Sequence, residues 1–219
     1  MPRRLSSAPR RPKLILVSLA VLLPCLLAGA LMVPHSFGTQ DSVDVSHEQL
    51  VQIETFMHES VRPWLSDPLL AAAITAQNVE NADLTDAEID ALDRAWRNDV
   101  AAGGSPTIEA MLARPLSRIL QNRQEGSAHL ITEIIVTDRH GLNVGQSTVS
   151  TDLWQGDEAK FTRTYGQDED FVLVEKPELD ESTQRRQVHA SMPITDPSGR
   201  PIGVITLGID LEALDRLAR

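Results

Sequence analysis

Cysteine is all but missing from this chain. The one copy, Cys25, lies inside an N-terminal apolar run, so nothing after it has a thiol for a disulfide, a Cys-ligated metal or a cysteine nucleophile. Aromatic residues are only 4% against 42% hydrophobic overall, so the core must be built mainly from Leu, Ile, Val and Ala. Bases are scarce beyond the first residues. Arg3, Arg4, Arg10, Arg11 and Lys13 use up five of the 20, which leaves 15 bases against 31 acids from residue 14 onward, a net of −16. Phosphate backbones are held by clustered Lys and Arg, so a nucleic acid is excluded as the expected partner. Also missing are a Gly-x-Ser-x-Gly elbow, a Walker loop, a Rossmann glycine pattern and a His-Glu-x-x-His helix, which removes the recognisable signatures of hydrolase, nucleotide and zinc chemistry.

The basic stretch ending at Lys13 leads into Leu14 to Val33, twenty residues without a charge. Such a run has the length to span a bilayer. It also has the parts of a secretory signal: a basic n-region, an apolar segment to Leu23, Pro24 as a breaker, and Ala28-Gly29-Ala30 as a small-residue cleavage site. A signal peptide cleaved after Ala30 and a retained inner-membrane anchor are both open at residues 1–33. The basic side orients the acidic remainder to the periplasm, or outside, in either case. Residues 34–45 read as a linker and 46–219 as one domain.

From Ser46 the apolar period is helical, with Leu50, Ile53, Met57, Val61 and Trp64 in series and Pro63 ending or kinking the run. Asp67-Pro68 opens a second helix, and Thr85 to Glu88 has capping-box spacing ahead of Ile89, Leu92, Trp96 and Val100. Ser105-Pro106 starts another helix, with Pro115 bending it. The acids Asp83, Asp86, Glu88, Asp90 and Asp93 read as a solvated helix face, since they lack the glycine and ligand series of a calcium loop.

After Gly126 the period changes to two. Leu130 to Thr137 and the strand after Asp138-Arg139-His140-Gly141 form one hairpin. Gln184 to Ile194 and Ile202 to Ile209, joined by Asp196-Pro197-Ser198-Gly199, form another. Val188, Ala190, Met192 and Ile194 share one face of their strand, with Gln187, His189 and Ser191 on the other. Phe171 to Val174 adds a short strand, and Asp210 caps a terminal helix. The expected fold is α+β: N-terminal helices, one of them long, packed on a central antiparallel sheet of about five strands.

Ile135-Val136-Thr137-Asp138, Gly141, Asn143-Val144, Ser147, Asp152, Trp154-Gln155-Gly156-Asp157-Glu158 and Lys160 resemble bacterial periplasmic Cache-type (PDC, PAS-like) sensor domains, and among these the small stand-alone proteins without an output domain. Pro193-Ile194-Thr195-Asp196, Gly199, Ile202-Gly203-Val204-Ile205 and Ile209-Asp210-Leu211 resemble the closing strand pair of the same family. The resemblance implies a PAS-like sheet with a ligand pocket under an inserted helix and loop. It implies small-molecule sensing outside the cytoplasm, with amino acids or small organic acids as the ligand class. It implies no catalysis and no cofactor. The chain shows no output domain, so signal transduction is expected to pass through a separate membrane receptor or kinase.

The inserted stretch is Thr151 to Tyr165. Trp154, Phe161 and Tyr165 offer an apolar wall, Lys160 and Arg163 a partner for a ligand carboxylate, and Asp157 or Glu158 a partner for an ammonium. The candidate ligand-binding residues are Asp152, Trp154, Gln155, Asp157, Lys160, Phe161 and Tyr165. The same residues also admit a structural reading, with Trp154 and Phe161 on the buried side of a helix and the charges solvated. A calcium site using Asp152, Asp157, Glu158 or the Asp168-Glu169-Asp170 run, and a structural or interaction protein of this fold with no small ligand, are the competing readings.

Overall fold

A computed structural model of the chain describes residues 44–180 and 185–217. The proposed leader or anchor with Cys25, almost all of the linker, and Glu181 to Gln184, the last of these the expected first residue of a strand, lie outside the described residues. Among the described residues no helix is long and apolar enough to cross a membrane.

A continuous helical run opens the fold: α1 (His47–Phe56), a π-helical turn (Met57–Val61) and α2 (Arg62–Leu65). Ser46 and Gln49 close a reciprocal capping box at its start. The π turn answers the proline. Pro63 has no N–H, and its ring crowds the carbonyl four residues back, so the ladder widens and the Arg62 amide donates to Met57 five residues away. The run is thus loosened at Pro63 without being ended there.

α3 (Pro68–Glu80) starts where Asp67 accepts from the Leu69 amide, and α4 (Asp86–Ala101) starts at the Thr85–Glu88 box. Pro115 does more than bend a helix. Arg114, preceding it, is held extended at φ −56° and ψ 143°, which divides the segment into α5 (Pro106–Ala113) and α6 (Pro115–Glu125).

The sheet comprises β1 (Ile131–Thr137), β2 (Asn143–Gln146), β3 (Leu173–Val174), β4 (Glu178–Asp180), β5 (Arg185–Thr195) and β6 (Pro201–Asp210), with the short α7 (Ala159–Thr162) between β2 and β3 and α8 (Leu211–Leu217) at the end. Every pairing is antiparallel. The order is β2-β1-β6-β5-β3, with β4 also on β5. The fold class is α+β as expected. The sixth strand is β4, three residues long and too short to show an alternation.

Alternation sorts the strand residues. Ile134, Val136, Val188, Ala190, Met192, Ile194, Ile205, Leu207 and Ile209 face the helices and pack with Ile53, Met57, Val61, Leu70, Ile74, Leu116 and Leu120 in the main core. The intervening residues face the other way and floor a cleft.

Candidate functional site

The far face of the sheet floors a cleft of about 1020 Å³. β1 contributes Glu133 and Ile135, and β5 contributes Gln187 and His189. The segment after β2 supplies Asp152, Gln155, Glu158 and Lys160 as a wall, and Glu178 of β4 closes the opposite side.

The floor is organised around a glycine. Gly208 of β6 pairs with Glu133 on one side and His189 on the other. Because Gly208 has no side chain, Glu133 reaches across β6 and its Oε1 lies 2.8 Å from His189 Nε2. On the other ring nitrogen, Glu178 lies 3.6 Å and Glu175 3.8 Å from Nδ1. Burial opposes a charge on His189, but the hydrogen bond to Glu133 and its charge, with Glu178, outweigh burial and hold the imidazole above its ordinary value of 6.5. Burial likewise raises the carboxyl of Glu175, against the pull of His189 and Lys160. Beyond His189 on the same face, the Ser191 and Thr206 hydroxyls are 2.9 Å apart and satisfy each other.

The wall is fastened from outside by α4. Asp93 is 3% exposed, and its Oδ1 accepts the Leu153 and Trp154 amides at 2.9 and 3.0 Å. Arg97 bridges Asp93 Oδ2 (2.6 Å) and Asp152 Oδ1 (2.9 Å). Trp96 donates its indole N–H to the Ser150 carbonyl. Asp93 therefore departs from the solvated acidic face expected for α4. The helix is turned so that Ile89, Asp93 and Trp96 point inward, and Leu92 is 43% exposed.

Of the seven candidate ligand-binding residues, Asp152, Gln155 and Lys160 line the cleft. Lys160 is buried and pairs with Glu158 at 3.1 Å. The other four do not line it. Trp154 bridges to Leu142 and donates its indole N–H to the His140 carbonyl at 2.7 Å. Its ring covers Gly156, where an added Cβ would run into the indole nitrogen and the His140 carbonyl. Phe161 stacks on Tyr165 at 5.2 Å between centroids, and the Tyr165 hydroxyl donates to the Pro201 carbonyl. Asp157 is exposed. The helix in this stretch is only four residues long and begins after Trp154, so Trp154 and Phe161 do not share a helical face.

Glu133, Glu178, Gln187 and His189 also line the cleft and are not among the candidates read from the sequence. The signal for two of them is present in the sequence: Gln187 and His189, with Ser191, alternate with the core residues Val188, Ala190 and Met192. Among the described residues no group of three or more His, Cys, Asp or Glu is placed to hold a metal ion.

No protein-family model matches the chain, and no curated protein matches it. Among solved structures it is similar to the sensor domain of the V. cholerae histidine kinase DctB, with 16% identity, a TM-score of 0.41, and 77% of this chain and 57% of that one covered. It is similar to the sensory domain of the Campylobacter jejuni chemoreceptor Tlp3, with 16% identity, a TM-score of 0.39, and 75% and 66% covered. The ligand-binding domain of that chemoreceptor in complex with L-valine matches at 17% identity and a TM-score of 0.37, with 75% and 65% covered. Each of these neighbours is a sensor or ligand-binding domain of a histidine kinase or a chemoreceptor. The chain spans less than two thirds of the length of each.

Proposed function

We propose that this protein is a sensor module that binds a small molecule in the cleft on the outer face of its sheet and transmits the bound state through a separate membrane partner. The observation that carries the reading is the arrangement of charge in the cleft. Lys160 and His189 are drawn out of water beside Glu133, Glu158 and Glu178, in a concave site of ligand size. Sites for small molecules combine such a cavity with a few converging polar groups. Holding buried charge costs stability, and a ligand that completes the network offsets that cost. The ligand class is an amino acid or small organic acid, and the role is binding, not catalysis.

The domain over residues 46–219 functions outside the cytoplasm, carried there by the N-terminal segment acting as leader or anchor. The mass of the exported protein distinguishes the two, since cleavage after Ala30 removes the segment.

A thermal-shift screen of the purified protein against amino acids, carboxylates, polyamines, purines and Ca²⁺ tests the sensor reading. A ligand that binds only the native state raises the melting temperature by mass action, about 2.7 kcal/mol at one hundred times its Kd. At least one small molecule is expected to do so. If none does and a protein partner co-purifies instead, the fold is an interaction module and the sensor reading is wrong.

A further inference from the structure

Opposite His189 the edge of the sheet is broken. β3 ends with Val174 paired to Ala190, and β4 begins with Glu178 paired to Gln187. Between them Glu175, Lys176 and Pro177 stand against Val188 and His189, one residue too many for a regular ladder. Pro177 has no N–H to give. A backbone hydrogen bond crosses the break from the Glu175 amide to the His189 carbonyl at 2.9 Å. β4 is thus a three-residue edge piece carried on a break, and the side chains around His189 help to hold it.

The imidazole has carboxylates at both of its nitrogens. Nε2 is 2.8 Å from Glu133 of β1, while Nδ1 faces Glu178 of β4 at 3.6 Å and Glu175 of the break at 3.8 Å. A neutral imidazole has one N–H and one lone pair; the protonated ring has two N–H groups. The shorter contact keeps the N–H on Nε2 when the ring is neutral, so the Nδ1 lone pair then faces two carboxylates. Protonation turns that repulsion into attraction. The edge piece is held when His189 is charged and pushed off when it is not. Gln187 Nε2 donates to Glu178 Oε1 at 3.1 Å in either state, so β4 is loosened and not lost.

We infer that His189, with Glu175 and Glu178, is a proton site through which the domain senses the pH around it: a proton on the ring clasps β4 to the sheet, and its loss releases β4 at that side of the cleft. The ligand here is the proton itself. The inference therefore goes beyond the small-molecule reading and does not depend on it.

The charges that face the ring come from several elements. β1 presents Glu133, the break and β4 present Glu175 and Glu178, and β6 presents Gly208, which has no side chain. α7 presents Lys160, whose charge opposes the proton and is paired with Glu158 at 3.1 Å. Lys176, within the break, is exposed. Burial works against the proton, but Glu133 and Glu178 outweigh it and carry its release above pH 6.5.

Hydrogen exchange of the purified protein, followed by mass spectrometry from about pH 6 to about pH 9 and corrected for the intrinsic pH dependence of exchange, tests the clasp. Protection of the peptide over residues 173–180 is expected to lie below that of residues 201–210 throughout, the sign of a local opening. It should fall about threefold or more as pH rises, the scale of a partly exposed ion pair. His189→Gln, which cannot carry the charge, should give a flat profile. Glu178→Gln leaves the ring in place and should shrink the fall. Protection of residues 173–180 that ignores pH overturns the proton site. So does equal protection of the two peptides, which would mean that β4 opens only with the whole fold. A wild-type slope in both variants overturns it too, since the proton would then act elsewhere. Binding of a small molecule is decided separately by the thermal-shift screen, and failure of either reading leaves the other standing.

Discussion

Single residues decide how the cleft is lined. Gly208 looks unremarkable in an apolar strand, yet it sits between two partners of opposite character. An added Cβ there would meet Thr132 Oγ1 and come within 3.1 Å of Glu133 Cγ, in the space the Glu133 side chain crosses to reach His189. Gly208→Ala should cost about 2 kcal/mol, the scale of overpacking a filled site. The urea-denaturation midpoint measures it, and an unchanged midpoint would mean that Glu133 has another route to His189. None of this was legible in the sequence, because the role of Gly208 exists only once β1, β6 and β5 are in register. Asp138 is a contrasting case. Its turn function could be read from Asp138-Arg139-His140-Gly141, and its Oδ1 does accept the His140 and Leu142 amides at 2.8 and 3.0 Å. Local hydrogen bonding can be inferred from neighbours in sequence.

Elements divide along the same line. The caps at Asp67, Thr85 and Ser105, and the two hairpin turns, are where sequence reading places them, since each depends on residues within four positions. The facing of α4 depends on what lies opposite. Its apolar series suggested Leu92 inward, but the segment after β2 presents two bare amides, and Asp93 turns in to accept them. Asp93→Ala would orphan the Leu153 and Trp154 amides and release Arg97, a loss of about 2–4 kcal/mol. The expected sign is faster hydrogen exchange at the Leu153 and Trp154 amides than in the wild type; equal protection would show that α4 does not hold the cleft wall. Arg97 and Asp93 are four apart on one helix, and sequence spacing alone gives such a pair only the small value of a surface contact.

At the scale of the whole molecule, the cleft ties stability to pH. The folded state holds His189 above its ordinary value of 6.5, so folding takes up a proton there. The stability this supplies is complete below 6.5 and is lost as pH rises through the folded value. Glu175, also raised, acts in the same direction but in its own lower window, from 4.5 upward. The melting temperature should therefore decline as pH rises above 6.5, and His189→Gln should flatten that upper segment. A variant with the wild-type slope would place the proton elsewhere.

The sequence by itself determined the class of the fold: helices first, then two antiparallel hairpins, with one stretch between them that is neither. Period, caps and turn residues act over a few positions, and they are enough to set elements and their order. It also separated the polar face of β5 from the apolar one. Only the tertiary structure decided which polar residues meet. Within the inserted stretch it put Asp152, Gln155 and Lys160 on the cleft and held Trp154, Phe161 and Tyr165 in contacts with the rest of the fold. It added Glu133, Glu178, Gln187 and His189 from strands up to 56 residues apart in the chain. The physical reason is that a binding site is a property of converging side chains, and convergence across a sheet is fixed by strand register, which no local pattern encodes.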